Sequence, residues 1–317
     1  MRETFSLIRR EFTAYFLSPI AYVVLLFFLA ITGYLFFLTV NGLTQSGPRG
    51  IEFPFEILLG SPYFWVVFVC VAPALTMRLF AEERATGTLE VLMTSPIRDW
   101  QVVLAKFIAC FFFYLLLWLP TLAYLPVLLD LHVTWDLSAW SASAIVCVAG
   151  LAAIVVGLFG LIFGMNGMLG FFLMLAGAVA AGLGGWAQHT RDGAHLIQVN
   201  AGIYAWPVVT SYIGVILAGA MFLSLGLFVS SLVRSQLVAF LIALLVSLLF
   251  VVAGFWQPDL DTGGLPYRIL YFVSVPLHFS RDFTRGVLDS RHIVLYVSAT
   301  FLFLFLTVRS LESRRWK

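Results

Sequence analysis

Charged residues are scarce in this sequence. Only 11% of its 317 residues are Asp, Glu, Lys or Arg, whereas 62% are hydrophobic, and the mean hydropathy is +1.01. Soluble globular chains carry about 25% charged and about 45–50% apolar residues, so this composition excludes an ordinary soluble domain. The net charge of +2 is too small and too scattered to predict nucleic-acid binding. The sequence therefore predicts a protein that is integral to a lipid bilayer.

Motifs for catalysis, nucleotide binding and metal binding are also missing. The three cysteines, Cys70, Cys110 and Cys147, lie inside apolar runs without a CxxC spacing, which predicts small core residues. Neither GxxxxGK[ST] nor GxGxxG is present, so we expect no nucleotide site and no cofactor in this chain. HExxH and GxSxG are absent, and an intramembrane enzyme is the weaker alternative.

Long apolar runs, by contrast, are abundant. Two of them, 139–163 and 165–187, are separated only by Gly164-Met165-Asn166-Gly167 and are expected to form either a tight hairpin or a re-entrant pair. Eight runs are long enough to cross a ~30 Å hydrocarbon core at ~1.5 Å per residue. They lie at about 20–40, 62–80, 104–129, 139–163, 165–187, 208–232, 237–256 and 292–308. We therefore predict an all-α polytopic membrane protein with about eight membrane segments and no soluble domain.

The first 18 residues have the pattern of an amphipathic helix. Apolar side chains recur at three- and four-residue spacing, and basic or polar ones occupy the opposite arc. Ser18-Pro19 then breaks the helix, because the residue before a proline is disfavoured in the helical region. We expect an interfacial elbow helix over 1–18, with a solvated tail as the alternative. Its apolar face is Phe5, Ile8, Phe12, Tyr15 and Phe16.

The distribution of Lys and Arg predicts the orientation. With the N-terminus in the cytoplasm, the inner segments hold twelve basic residues and the outer segments hold six. Because basic residues are enriched in cytoplasmic loops, both termini are expected to be cytoplasmic.

The stretch 81–100 joins two apolar runs and carries the main cluster of charge. Gly87 is expected to interrupt the helix that leaves the second span, and Thr88 to cap a new short helix. The apolar face of that short helix, Leu89, Leu92 and Met93, suits the groove of another protein. The alternative is a loop helix that lies on the lipid surface. Asp99 is expected to cap the third span, and the predicted contact residues are Glu82, Glu83, Gly87, Thr88, Leu89, Leu92, Met93 and Pro96.

Four strings in this sequence resemble the type-2 permeases of ATP-binding-cassette (ABC) transporters. EERATGTLEVLMTSPIRDWQVVLAKF (82–107) resembles their coupling segment, including the lysine that opens the next span. SLGLFVSSLVRSQLVAF (224–240) is similar to the exit of their fourth span and a short inner loop, here with Arg234 and Gln236. The C-terminal 40 residues resemble the gliding-motility-type export permeases, and REFTAYFLSPIAYVV resembles the elbow region.

The resemblance implies a permease of the bacterial inner membrane that exports a substrate. Its implied partners are two copies of an ABC ATP-binding subunit, which use ATP and Mg²⁺, and a second permease copy or paralogue. Glu82 and Glu83 are then expected to anchor the coupling segment. The family typically has six spans, so 139–187 is expected to be an inserted pair that packs against neighbouring spans or an accessory membrane protein. A scaffold without transport is the alternative, and the substrate is not predicted.

The segment 257–291 is predicted to be an outer loop. Within it, Pro276–Asp289 resembles an outer interfacial helix that gates the exit or packs against it, with His278, Phe279, Phe283 and Gly286 on that helix. A helix that only seals the rim of the bundle is the alternative. An extracytoplasmic metal site is a minor hypothesis, because the spacings match no strong ligand motif. It draws on His132, His189, His195, His278 and His292 with Asp130, Asp136 and Asp192.

Overall fold

A computed structural model of the protein describes residues 2–46, 54–88, 98–124, 131–133, 197–199, 205–255 and 270–315, with residue 264 and single residues or pairs between 149 and 180. Its α-helices in these ranges are α1 (Arg2–Leu17), α2 (Pro19–Ser46), α3 (Pro54–Leu59), α4 (Pro62–Thr76), α5 (Arg78–Ala85), α6 (Asp99–Trp118), α7 (Ala205–Leu232), α8 (Gln236–Phe255), α9 (Val275–Arg281) and α10 (Ser290–Arg315). Two 3-10 turns follow Trp118 and Asp282, at Leu119–Tyr124 and Phe283–Arg285.

Five helical segments of the described chain are long and apolar enough to cross a membrane. They are Pro19–Thr39, Phe64–Ala85, Asp99–Leu122, Trp206–Leu232 and Ser290–Ser313, and Gln236–Val252 is a shorter apolar helix. These six helices coincide with six of the eight predicted apolar runs. The protein is therefore an all-α polytopic membrane protein, as predicted. Most of the expected pair at 139–187 lies outside the described residues.

One short β-ladder was not predicted. Strand β1 (Leu131–Val133) pairs antiparallel with β2 (Ile197–Val199), with His132 opposite Gln198. Three residues per strand are too few to show the alternation that identifies strands in a sequence. Because β1 and β2 are hydrogen-bonded neighbours, Val133 and Ile197, which flank the intervening chain, lie close together.

The chain divides into two compact units. The second comprises residues 36–54 and 115–205 and includes the β-ladder. In this unit Gly157 lies against a second helical piece, since a Cβ at Gly157 would be 2.6 Å from Cγ of Met174 and 2.8 Å from the carbonyl oxygen of Gly170. Two helical pieces of this region thus approach closely through glycine.

The first unit comprises residues 1–35, 55–114 and 206–317 and has an aromatic core. Trp65 and Phe68 of α4 are fully buried, and the Phe68 ring lies edge-on to Phe222 of α7 at 5.7 Å between centroids. Helix α7 approaches its neighbours closely where it has glycine. A Cβ at Gly226 would be 2.1 Å from Oγ1 of Thr76, and a Cβ at Gly219 would fall inside the Tyr114 side chain. Larger residues at these positions would push the helices apart.

The N-terminal helix is part of this core. Helix α1 ends at Leu17 and α2 starts at Pro19, which confirms the break predicted at Ser18-Pro19. Phe12 is buried, the Tyr15 hydroxyl donates a hydrogen bond to the carbonyl oxygen of Leu75 at 2.9 Å, and the Tyr15 ring stacks on Phe113 at 5.0 Å. Tyr15 of the predicted apolar face therefore connects α1 to α4 and α6, which does not fit a solvated tail.

Candidate functional site

The predicted coupling stretch begins where the second span ends. Helix α4 ends at Thr76, Met77 makes a turn, and α5 continues to Ala85. Gly87 then adopts a φ of +73°, which confirms that the chain leaves the helix there. A left-handed backbone of this kind favours glycine, and no atom lies within 4 Å of a Cβ built at this position. The constraint at Gly87 is therefore conformational.

Thr88 is tied back to the preceding helix. Its hydroxyl donates to the carbonyl oxygen of Glu83 at 3.3 Å and lies 2.9 Å from the Thr86 hydroxyl. The Thr88 hydroxyl, which was predicted to cap a following helix, therefore bonds to the preceding helix α5. Four of the predicted contact residues, Leu89, Leu92, Met93 and Pro96, lie outside the described residues. Asp99 is the first residue of α6 rather than the residue before it, so it contributes an acidic group to the first turn.

A buried lysine lies beside this stretch. Nζ of Lys106 on α6 contacts Oε1 of Glu83 on α5 at 2.7 Å and Oε2 of Glu11 on α1 at 3.0 Å. Only 1% of the lysine side chain is exposed. The three elements are far apart in the sequence, since Glu11 and Lys106 are separated by 95 positions. We call Lys106, Glu11 and Glu83 the Lys106 cluster.

Together with Arg10, the cluster brings two basic and two acidic side chains into contact. A buried ammonium group without partners would be strongly destabilised, and here two carboxylates compensate it. The Arg10 guanidinium also contacts Glu11, at 2.8 Å. Burial by itself raises the pKa of Glu11, but Lys106 and Arg10 together outweigh burial and lower this pKa below its ordinary value. Glu11 is therefore ionised at neutral pH.

A second, more exposed contact joins α5 to the break after α1. Nε of Arg78 contacts Oε2 of Glu82 at 2.8 Å, and the Arg78 guanidinium also donates to the Ser18 hydroxyl. About a third of the Arg78 side chain and 40% of the Glu82 side chain are exposed, so this pair contributes little stability. Its effect is to fix the direction of the Arg78 side chain.

Helix α5 also binds the end of α7. Because the chain turns at Met77, the first N–H groups of α5 lack partners within their own helix. The N–H groups of Phe80 and Ala81 donate to the Ser230 hydroxyl at 3.1 and 3.2 Å, and that hydroxyl donates to the Met77 carbonyl oxygen at 3.1 Å. The predicted inner loop follows directly, with Arg234 exposed between α7 and α8 and Gln236 at the start of α8.

The structure therefore gives α5 three neighbours that the sequence did not reveal. Ser230 carried no signal that distinguishes it from other serines in apolar helices. Lys106 did carry one, because it is a single charge near the start of an otherwise apolar run, and Glu11 is one of two acidic residues on a basic helix. A search for charges of opposite sign near span ends would have paired them.

The predicted outer helix is shorter than expected. Instead of one helix over Pro276–Asp289, the chain forms α9 (Val275–Arg281) and the 3-10 turn Phe283–Arg285. Gly286 then adopts a φ of +83°, which ends the turn. His278, Phe279 and Phe283 are fully buried. The rings of Phe279 and Trp65 lie edge to face, with 4.8 Å between their centroids. This segment is thus packed into the bundle, and Phe283 and Gly286 also abut α7 at Gly214 and Trp206.

Five side chains around α9 form a hydrogen-bonded network, which we call the His278 cluster. Nε2 of His278 lies 2.7 Å from the Tyr271 carbonyl oxygen, so Nε2 carries the proton, and Nδ1 accepts from the Tyr296 hydroxyl at 2.8 Å. The rings of His278 and His292 stack at 3.8 Å between centroids. Asp282 contacts Nε2 of His292 at 2.8 Å and accepts from the Tyr271 hydroxyl.

Burial controls protonation in the His278 cluster. Desolvation, with a smaller contribution from His292, lowers the pKa of His278 to about 3, so this imidazole is neutral at physiological pH. Burial and the neighbouring Asp282 raise the pKa of Tyr271 above its ordinary value. The described residues contain no group of three or more His, Cys, Asp or Glu that could hold a metal ion. Of the other histidines, His132 is on β1, and His189 and His195 lie outside the described ranges.

The two clusters lie at opposite ends of one span. Trp65, beside the His278 cluster, and Glu83, in the Lys106 cluster, are 18 residues apart, which corresponds to about 27 Å along a straight helix.

Comparison with models of known families matches residues 10–205 to a family described as ABC-2 family transporter protein. The match covers more than half of the 317 residues and contains α1 to α6 except for the start of α1. A search of curated proteins finds no match.

Proposed function

Because the chain belongs to the ABC-2 family of transporter proteins, it is the permease component of an ABC transporter, and we propose that it couples ATP hydrolysis in a separate subunit to export across a bacterial inner membrane. The observation that supports this coupling role most strongly is the contact of Lys106 with both Glu11 and Glu83. This contact connects α5, at the start of the predicted docking stretch, to α1 and α6.

The proposed mechanism transmits motion mechanically. Helix α5 is bonded to α6 and α1 through Lys106, and to α7 through Ser230. When ATP binding or hydrolysis displaces the stretch 81–100, α5 moves, and these contacts carry α1, α6 and α7 with it. A buried, paired charge suits this role because breaking the contact is costly, so the elements move together.

The partners and the location are part of the proposal. The family implies an ABC ATP-binding partner and a membrane setting, and we propose two copies of that partner with a second copy or paralogue of this permease. ATP and Mg²⁺ are bound by the partner. We place both termini in the cytoplasm, as the excess of Lys and Arg suggests. The C-terminal resemblance suggests the gliding-motility-type subgroup of export permeases.

The inserted segment 139–187 is proposed to cross the membrane as a hairpin. The close approach of Gly157 to Met174 and the pairing of β1 with β2 on either side of the segment both support a chain that goes out and returns. An accessory membrane protein is the proposed neighbour of this pair.

The test is affinity purification of the tagged protein from its native membrane, with stoichiometry by mass spectrometry. The set contains wild type, Leu92→Asp and the matched control Leu104→Asn, which alters a half-exposed leucine on α6 away from the docking stretch. We expect one ATP-binding subunit per permease in wild type and in the control, and loss of that subunit in Leu92→Asp. Retention of the subunit by Leu92→Asp would place the docking contact elsewhere. No ATP-binding subunit in wild type would support a scaffold without transport.

A further inference from the structure

A cavity of about 800 Å³ lies between α1, the start of α2, α4 and α5. Its size is that of a site for a small molecule or for part of a lipid. The polarity of its walls changes along α4 and α5. Leu75 lies at the apolar end, Arg78 and Leu79 follow one turn later, and Glu82 lies at the polar end. The cavity is therefore amphipathic.

The apolar end adjoins an exposed apolar surface at the start of a candidate membrane span. Ile20 and Ala21, on the first turn of the span in α2, line the cavity together with Ala74. Helix α2 is mostly exposed in this unit, and neighbouring Leu17 is 80% exposed. An acyl chain in the bilayer can reach the apolar end along this surface without crossing a polar region.

The polar end carries charges of both signs. Three basic and three acidic side chains line the cavity: Arg10, Arg78, Lys106, Glu11, Glu82 and Glu83. The Arg78 guanidinium is fixed by Glu82 and Ser18 and has further N–H groups beyond those contacts. Arginine is well suited to phosphate because its planar fork donates two parallel hydrogen bonds, and a carboxylate accepts from an ammonium group.

We propose that this cavity binds a phospholipid that carries both a phosphate and a primary ammonium group, with the phosphate at Arg78 and Arg10, the ammonium at Glu82, and the upper part of one acyl chain between Ile20 and Leu75. Because the lining holds three basic and three acidic side chains, its charges balance, which favours this zwitterionic headgroup over a purely anionic one. The site lies where the N-terminal helix meets α5, so the bound lipid contacts both sides of that junction.

The test uses the full chain, purified gently from membranes that contain phosphatidylethanolamine and phosphatidylglycerol and analysed by native mass spectrometry. Wild type is expected to retain one phosphatidylethanolamine per chain. In Arg78→Gln retention is expected to fall about tenfold, because a charge-assisted hydrogen bond to the phosphate is lost. The matched control is Arg309→Gln, which removes an exposed arginine of another span that pairs with Glu312 and does not line the cavity.

A second variant keeps the result interpretable if Arg78→Gln does not fold. Ala74→Phe fills the apolar end without changing any charge and is also expected to abolish retention, with unchanged helix content by circular dichroism. The proposal is overturned if wild type retains no phospholipid, if it retains phosphatidylglycerol in preference, or if both variants retain as much phosphatidylethanolamine as wild type. These results are independent of whether an ATP-binding subunit is recovered.

Discussion

The Lys106 cluster and the His278 cluster both place polar side chains inside the same helical unit, but they differ in charge and in reach. The Lys106 cluster is a buried contact of Lys106 with two carboxyl groups, and it joins α1, α5 and α6, with 95 positions between Glu11 and Lys106. The His278 cluster includes a neutral imidazole and stays within residues 271–296. The first cluster connects elements far apart in the sequence, whereas the second connects α9 with the neighbouring start of α10.

This difference has a functional meaning. A contact between distant elements transmits displacement, because moving one element forces the others to follow or the charges to separate. A local network fixes the shape of a segment and transmits little. We therefore propose coupling for the Lys106 cluster, and we propose that the His278 cluster fixes the shape of the segment around α9.

The largest expected effect comes from removing the lysine. In Lys106→Met the two carboxylates lose their shared partner, and we expect a loss of about 3–5 kcal/mol in the free energy of unfolding. The double variant Lys106→Met/Glu83→Gln removes one of the stranded charges and should recover part of this loss. Thermal unfolding in detergent measures both. A loss below about 1 kcal/mol in the single variant would show that the pair behaves as an exposed salt bridge.

A substitution in the His278 cluster should reduce the free energy of unfolding by less. His278→Phe removes hydrogen bonds to Tyr296 and to the Tyr271 carbonyl group, and we expect a loss of about 1–3 kcal/mol. Recovery of the ATP-binding subunit should be unchanged in this variant, which separates local stability from coupling. Tyr296→Phe is the control that removes one of the two bonds. Loss of the ATP-binding subunit in His278→Phe would contradict the division of roles.

Acid should remove the stabilising contributions of His278 and Glu11 in a set order. The pKa of His278 is lowered by folding, so unfolded chains bind more protons below pH 6.5, and the stability from this group is lost as pH falls from about 6.5 towards 3. The pKa of Glu11 is also lowered, so its contribution is lost only below about pH 4.5. Stability measured against pH should fall more steeply for wild type than for His278→Phe between pH 6.5 and 4.5. Equal slopes would show that His278 titrates normally.

The smallest effect is expected at the bend of the coupling stretch. Gly87 has a φ of +73° with open space around its Cβ position, so Gly87→Ala meets backbone strain but no clash. We expect a cost of about 1 kcal/mol. Ala85→Gly, two residues earlier in α5, controls for a general change in helix propensity. A Gly87→Ala variant that is as stable as wild type would indicate that the bend tolerates other backbone conformations.

The sequence predicted the long elements well because long apolar runs and proline breaks are local signals. The break at Ser18-Pro19 and the departure from helix at Gly87 are examples. It predicted side-chain partners poorly, because these depend on which helices become neighbours. Glu83 was expected to anchor the coupling stretch, yet its partner Lys106 and the third member Glu11 were not identified. The outer helix was predicted to be longer than it is, because the spacing of the buried His278 and Phe283 is also the spacing of apolar residues in an amphipathic surface helix.

The central claim is that Lys106 makes α1 and α5 move as one body. Spin labels at Arg9→Cys on α1 and Thr86→Cys after α5, both at exposed positions, report the distance between them in the permease bound to its ATP-binding subunit. We predict the same distance distribution with and without trapped nucleotide in the wild-type background, and a nucleotide-dependent distribution in Lys106→Met/Glu83→Gln. A distance that changes with nucleotide while Lys106 and Glu83 are intact would contradict the claim.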